Sequence, residues 1–162
     1  MHVESIAGME KFVTEFMVPD KVSDILDVGS CDINGSYKEL FCNHRYTGID
    51  VSEGKNVDYV MQEPYNWIFD DDSFDVVISG QALEHIEYPW LTIKEMYRVL
   101  RKGGRSCIIV PQDAFEHRCP LDCYRYFPDG LRALAKWAGF RTIEVFRTTD
   151  TKYTDCMWIG EK

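Results

Sequence analysis

No stretch of this chain is basic. Its 18 Lys and Arg are outnumbered by 27 Asp and Glu, giving a formal net charge of −9, and the cations never gather into a run. Phosphate contacts dominate affinity for nucleic acids, so an acidic chain without a basic face is poorly suited to DNA or RNA. Long hydrophobic runs are also missing. No apolar stretch nears the ~20 residues that cross a bilayer, and no basic segment leads into a hydrophobic one at the N-terminus. We therefore expect a cytoplasmic protein with no membrane partner. The six cysteines (Cys31, Cys42, Cys107, Cys119, Cys123 and Cys156) are too scattered for a disulfide framework and read as reduced thiols. Cys119 and Cys123 have a spacing that a metal can use, but no second Cys/His pair matches it, so no metal site is expected. The sequon Asn34-Gly35-Ser36 reads as a turn, because no secretion signal accompanies it. One last absence decides more than the others. No Gly-x-Gly-x-x-Gly loop occurs, which argues against a dinucleotide-dependent oxidoreductase.

What is present suits one α/β domain over residues 1–162. Apolar residues make up 45% and charged residues 28%, as in ordinary globular proteins. Ile6, Met9, Val13, Phe16 and Met17 recur at helical spacing, predicting a lead-in helix near 4–17 within an N-terminal segment 1–20 that Pro19-Asp20 closes. Buried strands follow at 25–28, 45–50, 74–79 and 106–110, with a weaker candidate at 57–61 that Asp58 interrupts. A short helix is expected at 36–41 and a longer one at 89–101, stopped by Lys102-Gly103-Gly104. Pro111 should close the strand before it. Residues 112–128 read as a long substrate-side loop, followed by a helix from Pro128 to Gly139. Alternation at 141–147 and 153–159 predicts a closing antiparallel pair. The expected fold is α/β and doubly wound, with a mainly parallel seven-stranded sheet and an antiparallel C-terminal strand.

Such sheets bind ligands beyond the carboxyl ends of their strands. Asp24-Ile25-Leu26-Asp27-Val28-Gly29-Ser30 ends one strand in an acid and a glycine, and Tyr46-Thr47-Gly48-Ile49-Asp50 ends the next in a second acid. Asp50 is placed to accept from both hydroxyls of a ribose. Between the acids, Cys31 and Ile33 crowd the loop and Asp32 repels phosphates, so a pyrophosphate is a poor guest. A cofactor carrying an ammonium and a positive sulfur meets no such conflict.

These motifs resemble those of a small class I S-adenosylmethionine-dependent methyltransferase of the type 11-like family. The resemblance rests on Ile25-Leu26-Asp27-Val28-Gly29, Gly48-Ile49-Asp50-Val51-Ser52, Asp72-Ser73-Phe74-Asp75-Val76-Val77-Ile78-Ser79, Leu83-Glu84-His85-Ile86 and Glu95-Met96-Tyr97-Arg98-Val99-Leu100-Arg101-Lys102-Gly103-Gly104, in family order across 25–110. It implies S-adenosyl-L-methionine as cofactor on a Rossmann-like fold. Asp27, Gly29 and Ser30 would lie against the methionine part, with Gly35 supplying the turn that the usual glycines no longer give. Asp50 would hold the ribose, Val51 would flank the adenine, and Gly80 and Gln81 would lie near the sulfonium. The acid that usually meets the adenine amino group is represented by Gln62 or Glu63, and either can accept that hydrogen bond.

The resemblance implies a small-molecule acceptor. The segment 117–129 and the motif Asn34-Gly35-Ser36 are similar to those of members that methylate sugars, so oxygen on a sugar-like metabolite is the expected target. An alcohol acceptor needs a base. His85 after the fourth strand and His117 in the following loop are the candidates, with Asp122 to orient one of them. The alternative is a non-catalytic member that keeps the fold and serves a partner. The sequence leaves the oligomeric state open.

Overall fold

The computed structural model describes residues 3–18, 21–148 and 154–162. The chain runs α1 (Val3–Phe16), β1 (Asp24–Val28), a 3-10 turn (Lys38–Phe41), β2 (Arg45–Asp50), β3 (Tyr59–Val60) and β4 (Phe74–Gly80). A second 3-10 turn (Leu83–His85) leads to α2 (Pro89–Val99), β5 (Leu100–Asp113), α3 (Pro128–Ala138), β6 (Arg141–Arg147) and β7 (Thr154–Glu161). The seven strands form one sheet in the order β3-β2-β1-β4-β5-β7-β6. The first five are parallel, whereas β7 inserts antiparallel between β5 and β6. This is the doubly wound arrangement that the sequence predicts.

The continuous apolar strands arise because both faces are covered. Along β1, Ile25 packs with Met9 and Phe12 of α1, whereas Leu26 and Val28 pack with Ile93 and Met96 of α2. In β4, Val76 and Ile78 join the α1 side and Val77 joins the α2 side. The chain leaves β1 outward to β2 and returns to β4 on its other side, so a crevice opens over the carboxyl ends of β1 and β4.

Several boundaries differ from those predicted. The helix α2 ends at Val99 rather than 101, since Leu100 is already extended and pairs with Phe74. Lys102-Gly103-Gly104 is therefore no helix cap. It forms an irregularity inside β5, where the pairing jumps from Phe74–Leu100 to Val76–Arg105 and Gly103 takes φ +76°. Pro111 does not close β5 either: its carbonyl accepts from Tyr126 N–H, and pairing with β7 continues to Asp113. The strand β3 shrinks to two residues because Asp58 turns back on Gly48, with its carboxylate accepting from Gly48 N–H (2.8 Å). The predicted helix at 36–41 is a single 3-10 turn. Pro19-Asp20, expected to end α1, and Tyr153, expected to open β7, lie outside the described residues.

Candidate active site

The turn after β1 is built by backbone constraints. Gly29 has φ +79°, and a Cβ there would overlap the Ala82 side chain, so only glycine joins β1 to the β4 exit. Gly29 and Ser30 N–H groups both donate to the Ile49 carbonyl, at 2.9 and 3.1 Å. Ser30 Oγ donates to the Asn56 carbonyl (3.0 Å). The Asp50 carboxylate accepts from Cys31 N–H (3.2 Å) and Ser52 N–H (3.0 Å), tying the ends of β1 and β2 together. Asp32 caps the loop by accepting from Gly35 N–H (2.7 Å) while pairing with Lys55 (2.7 Å). Cys31 does not crowd the opening as its size suggests, because its sulfur packs against the bare backbone of Gly54. Ile33 does face the opening and is exposed.

Asp27 is buried at the floor of this turn and accepts from Tyr46 Oη–H. Burial pushes its carboxyl up to about 7; the Tyr46 hydrogen bond opposes the shift and the nearby Asp50 charge adds to it. Burial raises the phenol of Tyr37, and the Asp27 charge adds to the shift. A carboxyl raised in the folded state stabilises the fold below its unfolded value near 4, and that contribution is lost as pH rises through about 7. Asp27→Asn keeps an acceptor for Tyr46 and removes the buried charge. In the ligand-free protein it should add roughly 2–4 kcal/mol at pH 8, and clearly less at pH 5, in urea unfolding. An equal gain at both pH values would show that Asp27 does not titrate in this way.

At the end of β4 the backbone turns sharply: Gln81 has φ +56°, a strained setting for a side-chain-bearing residue, and its N–H donates to the Ile109 carbonyl (2.8 Å). The Tyr37 ring lies where a Cβ on Gly80 would stand, so this glycine admits the aromatic wall. The 3-10 turn that follows presents Glu84 and His85. Glu84 is fully buried, and among the described residues neither of its carboxylate oxygens has a hydrogen-bond partner. Burial raises its carboxyl to about 8, against the pull of its own backbone N–H and of Arg125. His85 Nδ1–H donates to the Leu121 carbonyl (2.6 Å), which leaves Nε2 with its lone pair.

The loop 114–127 folds back over this turn. Cys123 and Tyr124 N–H groups both donate to the Glu84 carbonyl (2.7 and 3.1 Å). His117 Nδ1–H donates to the Phe115 carbonyl (2.9 Å), and its ring meets His85 edge-on with centroids 5.1 Å apart. Asp122 Oδ2 lies 3.8 Å from His117 Nδ1, close enough to pair with that imidazole when it is protonated. Asp122 also accepts from His117 backbone N–H (2.7 Å) and grips Arg125 through both oxygens (2.6 and 2.8 Å), and Arg125 keeps its carboxyl well below the usual range. Together these contacts pin the loop and hold His117 within it.

These walls enclose a cavity of about 740 Å³, within the range of small-molecule sites. A family model described as "Methyltransferase domain" matches residues 26–108, the segment from β1 into β5. The chain belongs to this family. Demethylmenaquinone methyltransferase of Staphylococcus epidermidis is 33% identical over 109 residues, 58% of this chain and 45% of that protein. A rice chloroplast enzyme, 2-methyl-6-phytyl-1,4-hydroquinone methyltransferase 2, is 35% identical over 83 residues, 49% of this chain and 24% of its own. The chain thus spans less than half the length of the curated relatives it matches. Among solved structures, 1,6-didemethyltoxoflavin-N1-methyltransferase of Burkholderia thailandensis, bound to 1,6-didemethyltoxoflavin and S-adenosylhomocysteine, superposes with a TM-score of 0.75. It is 15% identical, with 99% of this chain and 77% of that one covered, a likeness of fold alone.

On this methyltransferase domain the sequence-predicted residues divide cleanly. Asp27, Gly29, Ser30, Gly35, Asp50, Val51, Gly80, Gln81, His85 and His117 all line the cavity. Gln62 and Glu63 do not: both are exposed and line a separate recess beside β3, because Met61 turns inward and its N–H donates to the Asp50 carbonyl (2.8 Å). Asp122 stands behind the loop and is absent from the wall. Sequence reasoning missed Tyr37, Trp67 and above all Glu84, which all line the cavity. The signal for Glu84 was its place in the Leu83-Glu84-His85-Ile86 motif, since a carboxylate in so apolar a string needs a reason.

Proposed function

We propose that this protein transfers a methyl group from S-adenosyl-L-methionine to a small acceptor with an apolar body. The observation that carries the reading is the charge of the cavity wall. Six acidic side chains line it (Asp27, Asp50, Glu84, Glu87, Asp113 and Asp155), two of which, Asp27 and Glu84, burial raises toward neutrality, and no lysine or arginine does among the described residues. Such a wall disfavours phosphates and suits a ligand bearing an ammonium and a sulfonium. When bound, S-adenosylmethionine supplies a methyl carbon whose bond to sulfur breaks as the acceptor atom attacks, the electron pair returning to sulfur.

The chain's own groups then divide the work. Asp27 and the Gly29–Gly35 turn hold the cationic amino-acid end, and Asp50 accepts from the ribose hydroxyls. Val51, Met61 and Trp67 supply apolar surface for the adenine, a part that Gln62 and Glu63 would share only from outside the cavity. Gly80 and Gln81, both on the cavity wall, flank the reacting carbon in this reading. His85 and His117, each with Nδ1 on a backbone carbonyl, present Nε2 for a proton from the acceptor. The exposed Ile33, Val51, Phe115 and Leu121 at the cavity wall favour an aromatic or hydroquinone-like acceptor over a polyhydroxylated one, and the names of the curated relatives point the same way. A sugar-like acceptor remains the second arm of the test.

Calorimetry with S-adenosylmethionine should give saturable heat. Labelled methyl should then pass to phosphate-free hydroquinones more readily than to sugars or nucleotide sugars. Absence of heat and of a thermal shift at millimolar ligand would favour the non-catalytic alternative. Transfer only to sugars would overturn the apolar-acceptor reading.

A further inference from the structure

We propose that Glu84, His85 and His117 form a binding site for a first-row divalent cation of the zinc type, at the acceptor end of the cavity. One ligand atom from each of the three lies within 4.8 Å of the others, and His85 Nε2 is 3.8 Å from Glu84 Oε1. Small side-chain movements bring such a set to the ~2.0–2.2 Å bonds of a zinc centre.

Three features point to an ion rather than to a chance cluster. Glu84 is fully buried, yet neither carboxylate oxygen finds a partner among the described residues, while its backbone carbonyl is satisfied twice by the loop. A fully buried carboxylate with no hydrogen-bond partner, faced by His85 Nε2 at 3.8 Å and the more distant Arg125 charge, is costly unless something further compensates it. Both imidazoles donate Nδ1–H to backbone carbonyls, His85 to Leu121 and His117 to Phe115, which is how metal-bound histidines are usually oriented. Finally, all three residues line the cavity, so a coordination position would remain open toward it.

Two nitrogens and one carboxylate select against magnesium and calcium, which prefer all-oxygen shells, and favour zinc and its first-row neighbours. Spacing hid this site in the sequence. Two ligands are adjacent, at 84 and 85, and the third comes from a loop that returns over them at 117. With the cation bound, Nε2 of both histidines is committed to it, so their proton-accepting part belongs to the metal-free protein. A role for the cation in holding an acceptor oxygen rests on the methyl-transfer reading, and its binding does not.

The test uses the intact chain freed of metal by a chelator and titrated with Co2+ as a spectroscopic substitute for Zn2+. We expect one equivalent to bind, with absorption typical of nitrogen and oxygen ligands and no thiolate-to-metal band. His85→Ala and His117→Ala should each weaken binding by at least about tenfold. His117 is half-exposed on a loop, so its variant keeps the fold even if Glu84→Gln does not. The proposal is overturned if the intact chain shows no saturable binding, if both histidine variants bind as before, or if Cys119→Ser or Cys123→Ser abolishes it. S-adenosylhomocysteine titrated separately reports on the cofactor reading, so either idea can fail alone.

Discussion

Asp50→Ala should weaken S-adenosylhomocysteine binding roughly a hundredfold in calorimetry, about 2.7 kcal/mol, with the thermal midpoint moving by only a few degrees. A hydrogen bond to an ionised acceptor contributes about 1.5–3 kcal/mol, and a ribose diol offers two. The expected loss falls below the roughly 3–6 kcal/mol that two such bonds would give, because Asp50 is already engaged. Its oxygens hold Cys31 and Ser52 N–H groups in the ligand-free protein, so alanine also loosens the turn after β1. The fold itself should survive, since the side chain stands at a strand end outside both hydrophobic clusters.

Loosening of the turn and loss of the ribose contact can be separated. A 2′-deoxy analogue of the ligand removes one hydroxyl without touching the protein. If Asp50 meets the ribose, the wild type should discriminate against the analogue and the variant should not, so the two losses are not additive. Additive losses would mean that Asp50 acts only through the loop. Unchanged affinity in the variant would end the ribose assignment altogether.

The sequence showed the sheet clearly because its strands are buried on both faces. Ile25, Leu26 and Val28, like Val76, Val77 and Ile78, serve two cores at once and leave no polar alternation. Asp27 and Asp50 were legible for a related reason: a carboxylate that ends an apolar strand stands at the crevice. Side-chain detours were not legible. Asp58 spends its carboxylate on Gly48 and shortens β3, and Lys102-Gly103-Gly104 bulges within a strand instead of stopping a helix. Glu63 and Asp122 carry suitable chemistry at suitable intervals, yet one faces a separate recess and the other stands behind the cavity wall, shared between Arg125 and His117. Glu84 was hidden by its neighbours, because only the returning loop shows that nothing satisfies its oxygens. Local spacing records which elements form. It does not record which partner a polar side chain chooses.

His85→Ala should lower kcat by about a hundredfold or more while S-adenosylhomocysteine affinity stays within about threefold, the scale expected for loss of a proton-accepting group. Between the two histidines, the geometry favours this one. Its ring is mostly buried on the rigid turn after β4, with 16% side-chain exposure against 49% for His117, and its short bond to Leu121 fixes the tautomer. His117→Ala should therefore cost less, roughly tenfold, because the loop that carries it can readjust. The competing role for His85 is mechanical: through the Leu121 carbonyl it also pins the loop that roofs the acceptor end. A purely mechanical part would raise KM for the acceptor and leave the pH dependence of kcat intact. A proton-accepting part would lower kcat and remove the acidic limb of its pH profile. If His117→Ala has the larger effect on kcat, proton removal belongs to the loop. If neither variant slows turnover, the imidazoles only hold the roof over the cavity.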